Sequence, residues 1–302
     1  MSQTPAQNQD TPAGLAFAMS AYLLWGFLPL YMHQLAHVPP LEVVAHRIIW
    51  SLPVAGVMAL ALGRVADIRA ALTNRNMVLM GLVTATLISV NWATYVYAIA
   101  SGQAVQAALG YYINPLFSIV LGAVLLGERP SPIQQLAIGL AFVAVVILTL
   151  DAGSLPWVAI GLTVSWGFYA FFKKSMPIGP NQGFLLEVIL LFPCAIGFLI
   201  WMNAQGANHF TGGTGLGQAL LMGCGVVTAI PLVLYANGAK RLRLSTIGIM
   251  QYVAPTMILL TAIFIFREPV SPLRLGAFAL IWVALVLYSW GILAQMRRKA
   301  RG

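Results

Sequence analysis

Long apolar runs separated by short polar breaks organise the whole chain. Ten runs lie at roughly 14–33, 41–62, 76–99, 105–126, 133–150, 155–172, 183–202, 217–237, 244–266 and 272–294. Each is about 18–24 residues long, enough for a helix to cross the hydrocarbon core of a bilayer. The connections carry residues that interrupt helices: Pro39-Pro40, Gly102, Pro130, Pro132 and Gly179-Pro180. The longest polar connection, 203–215, is rich in Gly and Asn. Residues 1–13 are polar and lack the basic start and cleavage site of a signal peptide, so they read as a short disordered tail. Residues 295–302 form a basic tail. The pattern predicts an all-α integral membrane protein with ten transmembrane helices.

Composition agrees with lipid as the solvent. The 302 residues are 60% hydrophobic and 8% charged, against about 25% charge in a soluble domain. The net charge of +9 would suggest nucleic acid if the basic residues formed a patch. They do not. Thirteen of the sixteen Lys and Arg fall at 64–75, 129, 173–174, 240–243 and 297–301, all on the side of the predicted membrane that also carries both termini. Arg267 and Arg274 fall on the other side, and Arg47 lies inside the second run. Loops that retain Lys and Arg are cytoplasmic, so both termini are expected in the cytoplasm of a bacterial inner-membrane protein. Nucleic acid is not an expected partner. Cys194 and Cys224 stand singly in apolar runs, which offers neither a disulfide framework nor a thiolate metal site.

The chain also repeats itself. Residues 114–132 read NPLFSIVLGAVLLGERPSP and residues 254–272 read APTMILLTAIFIFREPVSP. Pro115 matches Pro255, Glu128 matches Glu268, and Ser131-Pro132 matches Ser271-Pro272, all 140 residues apart. Tyr95 and Tyr235, Tyr112 and Tyr252, and Pro53 and Pro193 match at the same offset, and Trp25-Gly26-Phe27 matches Trp166-Gly167-Phe168 at 141. Five runs, an odd number, are thus repeated. The second copy must enter the membrane from the opposite face, giving two inverted five-helix repeats at 14–150 and 151–294. Inverted repeats of this kind can exchange conformations and so alternate access between the two sides.

Polar groups inside lipid are costly and should face a cavity or a partner. Arg47 lies about six residues into the second run, either snorkelling to the interface or serving a cavity as an anion partner or gate lock. His46 beside it suits a packing hydrogen bond. Glu187 aligns with Arg47 across the repeats; it can bind a substrate amine, carry a proton, or be an interfacial carboxylate. Glu42 reads as interfacial. Thr84, Ile88, Asn91 and Tyr95 stripe one helix face, with Cys224, Thr228, Pro231 and Tyr235 as counterparts. Asn91 can contact a polar solute or glue helices together. Asn114, Tyr111 and Tyr112 mark the fourth run, and Gln251 and Tyr252 the ninth. Pro115 and Pro255 would allow kinks that act as hinges. Trp25 and Trp166 fall near the middle of their runs, where they can stack a planar solute.

Three stretches, LGYYINPLFSIVLGAVLLGERPSP, RLRLSTIGIMQYVAPT and AHRIIWS, resemble the RarD branch of the drug/metabolite transporter superfamily. The two halves resemble its paired EamA domains. The resemblance covers nearly the whole chain. It implies ten helices in two inverted halves around a central cavity lined by the first four helices of each half, and export of small molecules such as amino-acid-like or chloramphenicol-like solutes through the inner membrane. No cofactor is expected, and a proton and a counter-solute are the coupling partners to weigh, with Glu187 the one plausible buried proton site. One departure is that the second copy reads FREP where the first reads GERP, which replaces a Gly before the turn by Arg267. An integral-membrane enzyme and a passive pore or sensor are the other classes to weigh. No HExxH, GxSxG or Walker A motif supports an enzyme, and no metal site or catalytic residue is expected.

Overall fold

A computed structural model of the protein describes residues 11–126, 132–239, 241–242 and 250–299. Among the described residues the chain is helical and contains no strand. The helices are α1 (Pro12–Gln34), α2 (Pro40–Ala61), α3 (Val65–Thr73), α4 (Arg75–Ala100), α5 (Ala104–Leu126), α6 (Pro132–Ala152), α7 (Trp157–Ser175), α8 (Pro180–Ala204), α9 (Gly215–Ala239), α10 (Val253–Leu260, continued by a π-helical turn, Thr261–Ile265) and α11 (Pro272–Lys299). Six of them, α1, α2, α4, α5, α8 and α9, are long and apolar enough to cross a membrane, and shorter apolar helical stretches lie at Gln135–Asp151, Val253–Ile265 and Pro272–Leu287.

Local chemistry sets the helix ends. Thr11 accepts the Gly14 N–H at the start of α1, and Asn74 accepts those of Asn76 and Met77 at the start of α4. Pro12, Pro40 and Pro180 occupy first-turn positions where a missing N–H costs nothing. Two boundaries differ from the sequence expectation. The stretch between the second and third runs contains α3, nine residues with Ile68 and Ala71 buried and Arg69 turned outward; it is too short to raise an apolar-run signal. α11 continues to Lys299, so most of the expected basic tail is helical. The expected end of the fourth run at Glu128 and the start of the ninth at 244–249 lie outside the described residues.

Packing follows a simple scheme. α1 packs on α9 and α10, α7 packs on α4 and α5, α2 packs on α8 and α9, and α6 pairs with α11. Small residues allow the closest approaches. A Cβ on Gly225 of α9 would meet the Trp50 carbonyl of α2, and one on Gly110 of α5 would lie 2.8 Å from the Ala159 carbonyl of α7. Backbone cannot move aside as a flexible side chain can, so these two glycines fix how near the helices come. The resulting centre is not solid. A space remains between the halves, away from the α6–α11 pair.

Candidate functional site

That space has an inner cavity of about 170 Å³ and a wider vestibule of about 460 Å³. Helical spacing aims the walls inward. Tyr22, Trp25 and Leu28 come from α1; Ile88, Asn91, Trp92 and Tyr95 from α4; Tyr111 and Asn114 from α5; Trp166 and Tyr169 from α7; Thr228, Leu232 and Tyr235 from α9. Gln251, Ala254, Pro255 and Ile258 close the side formed by α10 and the turn before it, and Arg47 enters from α2. No described residue of α6 or α11 lines either space. Trp25, Asn114, Trp166, Tyr169, Leu232, Tyr235 and Gln251 belong to both spaces and so form the neck between them. The vestibule runs out toward Arg64, Lys173 and Gln182, the face that carries the basic connections.

Arg47 is the inner cavity's only charged wall residue among those described. It is 3% exposed. Its Nε donates to the Thr228 hydroxyl at 3.1 Å, and that hydroxyl donates to the Cys224 carbonyl at 2.7 Å. The guanidinium lies 4.7 Å from the centre of the Trp92 ring, a cation–π contact. Its Nη1 is buried without a partner, as are the Tyr95 hydroxyl and the Asn114 Oδ1. Five carboxylates are described, and each is engaged elsewhere. Glu42 pairs with His209, Asp67 with Arg64, Asp151 with Arg274 and Glu187 with Lys173. Glu268 accepts the N–H groups of Ala104 and Val105 at 2.6 and 2.9 Å. Among the described residues, Arg47 is therefore a buried cation with no anionic side chain to balance it.

Asn91 has a structural duty as well as a place on the wall. Its amide donates to the Leu162 carbonyl and the Ser165 hydroxyl of α7 at 3.1 and 3.0 Å, and its oxygen accepts the Tyr111 hydroxyl at 3.2 Å. It ties α4 to α7 and orients Tyr111. Aromatic rings form the remaining surface. Trp25 lies 5.6 Å from Tyr235, and Trp166 lies 6.4 Å from Tyr111 and 5.6 Å from Tyr169.

Nine of the twelve residues singled out for a cavity stand on its wall: Trp25, Arg47, Asn91, Tyr95, Tyr111, Asn114, Trp166, Thr228 and Gln251. Three do not. Tyr112 is 1% exposed and packs outward on Phe278 of α11, with its ring stacked on Tyr252 and its hydroxyl 2.7 Å from that of Thr256. One residue is 100° of helix, and here that step turns Tyr111 to the cavity and Tyr112 to Phe278 and Tyr252. Tyr252 sits with Tyr112, outside the lining. Glu187 is 1% exposed and lies behind Lys173, 2.6 Å from its ammonium, with the Tyr169 hydroxyl donating at 3.3 Å. It is thus the buried partner of Lys173 and is not part of the cavity wall. Glu42, in the first turn of α2, is also buried within the protein and accepts both the backbone N–H and the ring of His209 at 2.7 Å. His46 makes a packing hydrogen bond, accepting from the Trp50 indole at 3.2 Å.

The prolines divide. Pro115 lies within α5, where it leaves the Tyr111 carbonyl without its helical donor. Pro255 is the third residue of α10, in the first turn, where its missing N–H breaks no bond of that helix. Trp92, Tyr169 and Lys173 are site residues that the polar-in-apolar pattern does not single out. The spacing of Trp166, Tyr169 and Lys173 by three and four could have grouped them on one face of α7.

Contacts between α1, α5 and the end of α10 lie beyond the cavity lining. His33 of α1 stacks on Phe266 at 4.5 Å, and Glu268 caps the start of α5. Between these two contacts, Arg267 adopts φ 54°, the one left-handed residue other than Gly among those described. It occupies the repeat position where the first copy has Gly127. A side chain in that conformation costs about 1–2 kcal/mol, and the flanking contacts hold it there.

Apolar spanning helices, a central polar–aromatic cavity and an open vestibule define a multi-pass membrane transporter, and comparison with known proteins gives the same class. Residues 12–150 match the EamA-like transporter family. The RarD protein of Streptomyces exfoliatus is 40% identical over 97% of this chain and 93% of its own length. An uncharacterized transporter of Bacillus subtilis, YojE, is 37% identical over 94% of this chain and 96% of its own. The chain belongs to the EamA-like transporter family, in its RarD branch. A solved crystal structure with 19% identity superposes with a TM-score of 0.59 over 92% of this chain and 98% of that one, which extends the likeness of fold to an experimental structure.

Proposed function

We propose that the protein is a secondary transporter of the bacterial inner membrane that exports small metabolites or drugs by alternating access. Its solute is of amino-acid-like or chloramphenicol-like size, and export is driven by exchange for a proton or counter-solute. Ten membrane helices form two inverted repeats, 14–150 and 151–294, with both termini in the cytoplasm. The observation that carries the reading is Arg47. It is a buried cation with no carboxylate partner, on the wall of a cavity whose vestibule opens on the basic face. A simple anchor has no reason to bear that cost.

Two features support the repeats. The packing scheme survives exchange of the halves: α1 meets α9 and α10 as α7 meets α4 and α5, while α2–α8, α5–α10 and α6–α11 map onto themselves. Gly26 lies against Met257, and Gly167 against Phe117; Phe117 and Met257 are themselves 140 residues apart. A vestibule that runs out to Arg64, Lys173 and Gln182 on the basic face supports a cytoplasm-facing state of the cycle.

Orientation is tested by labelling single cysteines in whole cells with an impermeant maleimide, after replacing Cys194 and Cys224 by Ser. Asn208→Cys, beside the exposed His209 loop, should be labelled. Ala70→Cys, on α3, should be labelled only after the cells are opened. Labelling of position 70 and not of 208 in intact cells would reverse the orientation and, with it, the direction of export.

A further inference from the structure

We infer that the solute held in the inner cavity is a planar aromatic monoanion that carries one neutral N–H or O–H donor. This rests on the reading of the cavity as the transporter's solute site, and it narrows the chemistry that site accepts.

Unspent hydrogen-bonding capacity defines the polar part. Among the described residues that line this space, two buried donors have no partner, the Nη1 of Arg47 and the hydroxyl of Tyr95, and one buried acceptor has none, the Oδ1 of Asn114. All three residues line the same 170 Å³ space. A guanidinium beside a phenol hydroxyl suits a carboxylate, which accepts from both. A lone amide oxygen suits one donor. An ammonium would find no counter-ion, because every described carboxylate is engaged outside the cavity. It would also share a small space with the buried Arg47, and two like charges there repel. The site thus selects against amines and, less strongly, against zwitterions.

The apolar part asks for a ring. Trp25 and Tyr235 stand 5.6 Å apart on one side, and Tyr95 and Tyr111 stand 6.0 Å apart on α4 and α5. An aliphatic acid would satisfy Arg47 but leave these faces without a stacking partner. The volume is below the roughly 300–1,000 Å³ of sites for drug-sized ligands, so it suits one small ring system.

Four compounds that share one ring test this: indole-3-acetate (anion with an N–H donor), 1-methylindole-3-acetate (anion without the donor), tryptophan (zwitterion) and tryptamine (cation). Equilibrium binding to the purified full-length protein is measured by calorimetry. Indole-3-acetate should bind at least about tenfold more tightly than tryptophan, and tryptamine should not bind measurably. The 1-methyl compound should bind more weakly than its parent, and Asn114→Leu should abolish that difference. Tyr95→Phe should weaken indole-3-acetate several-fold while leaving the order of the four unchanged. Tryptamine binding as tightly as indole-3-acetate would overturn the inference, as would equal affinity for the methylated and parent acids in the unaltered protein. The latter comparison needs no variant to fold. Failure of the two readings is distinguishable. A protein that exchanges some other solute across liposomes but shows no preference among these four rejects the aromatic-anion inference alone. Binding in the predicted order without exchange supports it and rejects transport.

Discussion

Lys173→Met should destabilise the folded protein by about 3–5 kcal/mol, far more than Glu187→Gln. The two side chains form a pair 2.6 Å apart, but they are not equally placed. The Glu187 side chain is 1% exposed, while that of Lys173 is 17% exposed and reaches the vestibule. Removing the lysine strands a carboxylate with only the Tyr169 hydroxyl for company, the uncompensated buried charge that makes broken pairs so costly. Removing the charge of Glu187 leaves an ammonium that can turn into the vestibule and find water, so only the charge-assisted bond is lost, about 1.5–3 kcal/mol. The double variant, Lys173→Met with Glu187→Gln, should therefore be more stable than Lys173→Met alone. Thermal denaturation of the four proteins in one detergent forms the double-mutant cycle that reads this coupling. Equal losses from the two single changes, or a double variant as weak as their sum, would mean the pair does not hold α7 to α8.

Arg47→Met should do the opposite: it should weaken solute binding roughly 10–150-fold without lowering stability. In the wild-type protein the guanidinium is compensated only by the Trp92 face and the Thr228 hydroxyl. An apolar side chain of similar length removes a desolvated charge and keeps the packing, and such exchanges are often neutral or stabilising by about 1–4 kcal/mol. Binding of an anionic solute loses a charge-assisted bond, about 1.5–3 kcal/mol, or roughly 10–150-fold in affinity. Arg47→Lys keeps the charge but not the planar fork, and should fall between. A melting temperature well below wild type in Arg47→Met would show that the cation is there to hold α2 to α4 and α9. Full transport in Arg47→Met would make it irrelevant to the solute.

Much of this site can be read from the sequence, because the cost of polar groups in lipid is a sequence-level rule. Arg47, Asn91 and Asn114 stand out within apolar runs for that reason, and the helical period places Ile88, Asn91 and Tyr95 together. The same rule says that a polar group needs a partner but not which partner. Glu187 was equally consistent with solute, proton or interface, since the lysine that takes it up comes from the preceding helix, fourteen residues earlier, and read there as a topology charge. Tyr111 and Tyr112 are adjacent, and only the rotation of α5 decides which one faces inward. Trp92 looked like any apolar residue until Arg47 was placed above it. Repeat alignment located the position of Arg267, but not that a non-Gly residue would hold the left-handed turn there. That depends on Phe266 and Glu268 being pinned by α1 and α5.

Counterflow in proteoliposomes tests alternating access most directly. The purified protein is reconstituted, loaded with a high concentration of an unlabelled solute that raises its melting temperature, and diluted into a trace of the same solute in labelled form. A carrier with one site open to one side at a time should give transient accumulation of label above equilibrium, and Arg47→Met should lose it. Label that merely equilibrates, with no overshoot for any solute the protein binds, would contradict alternating access and point to a pore.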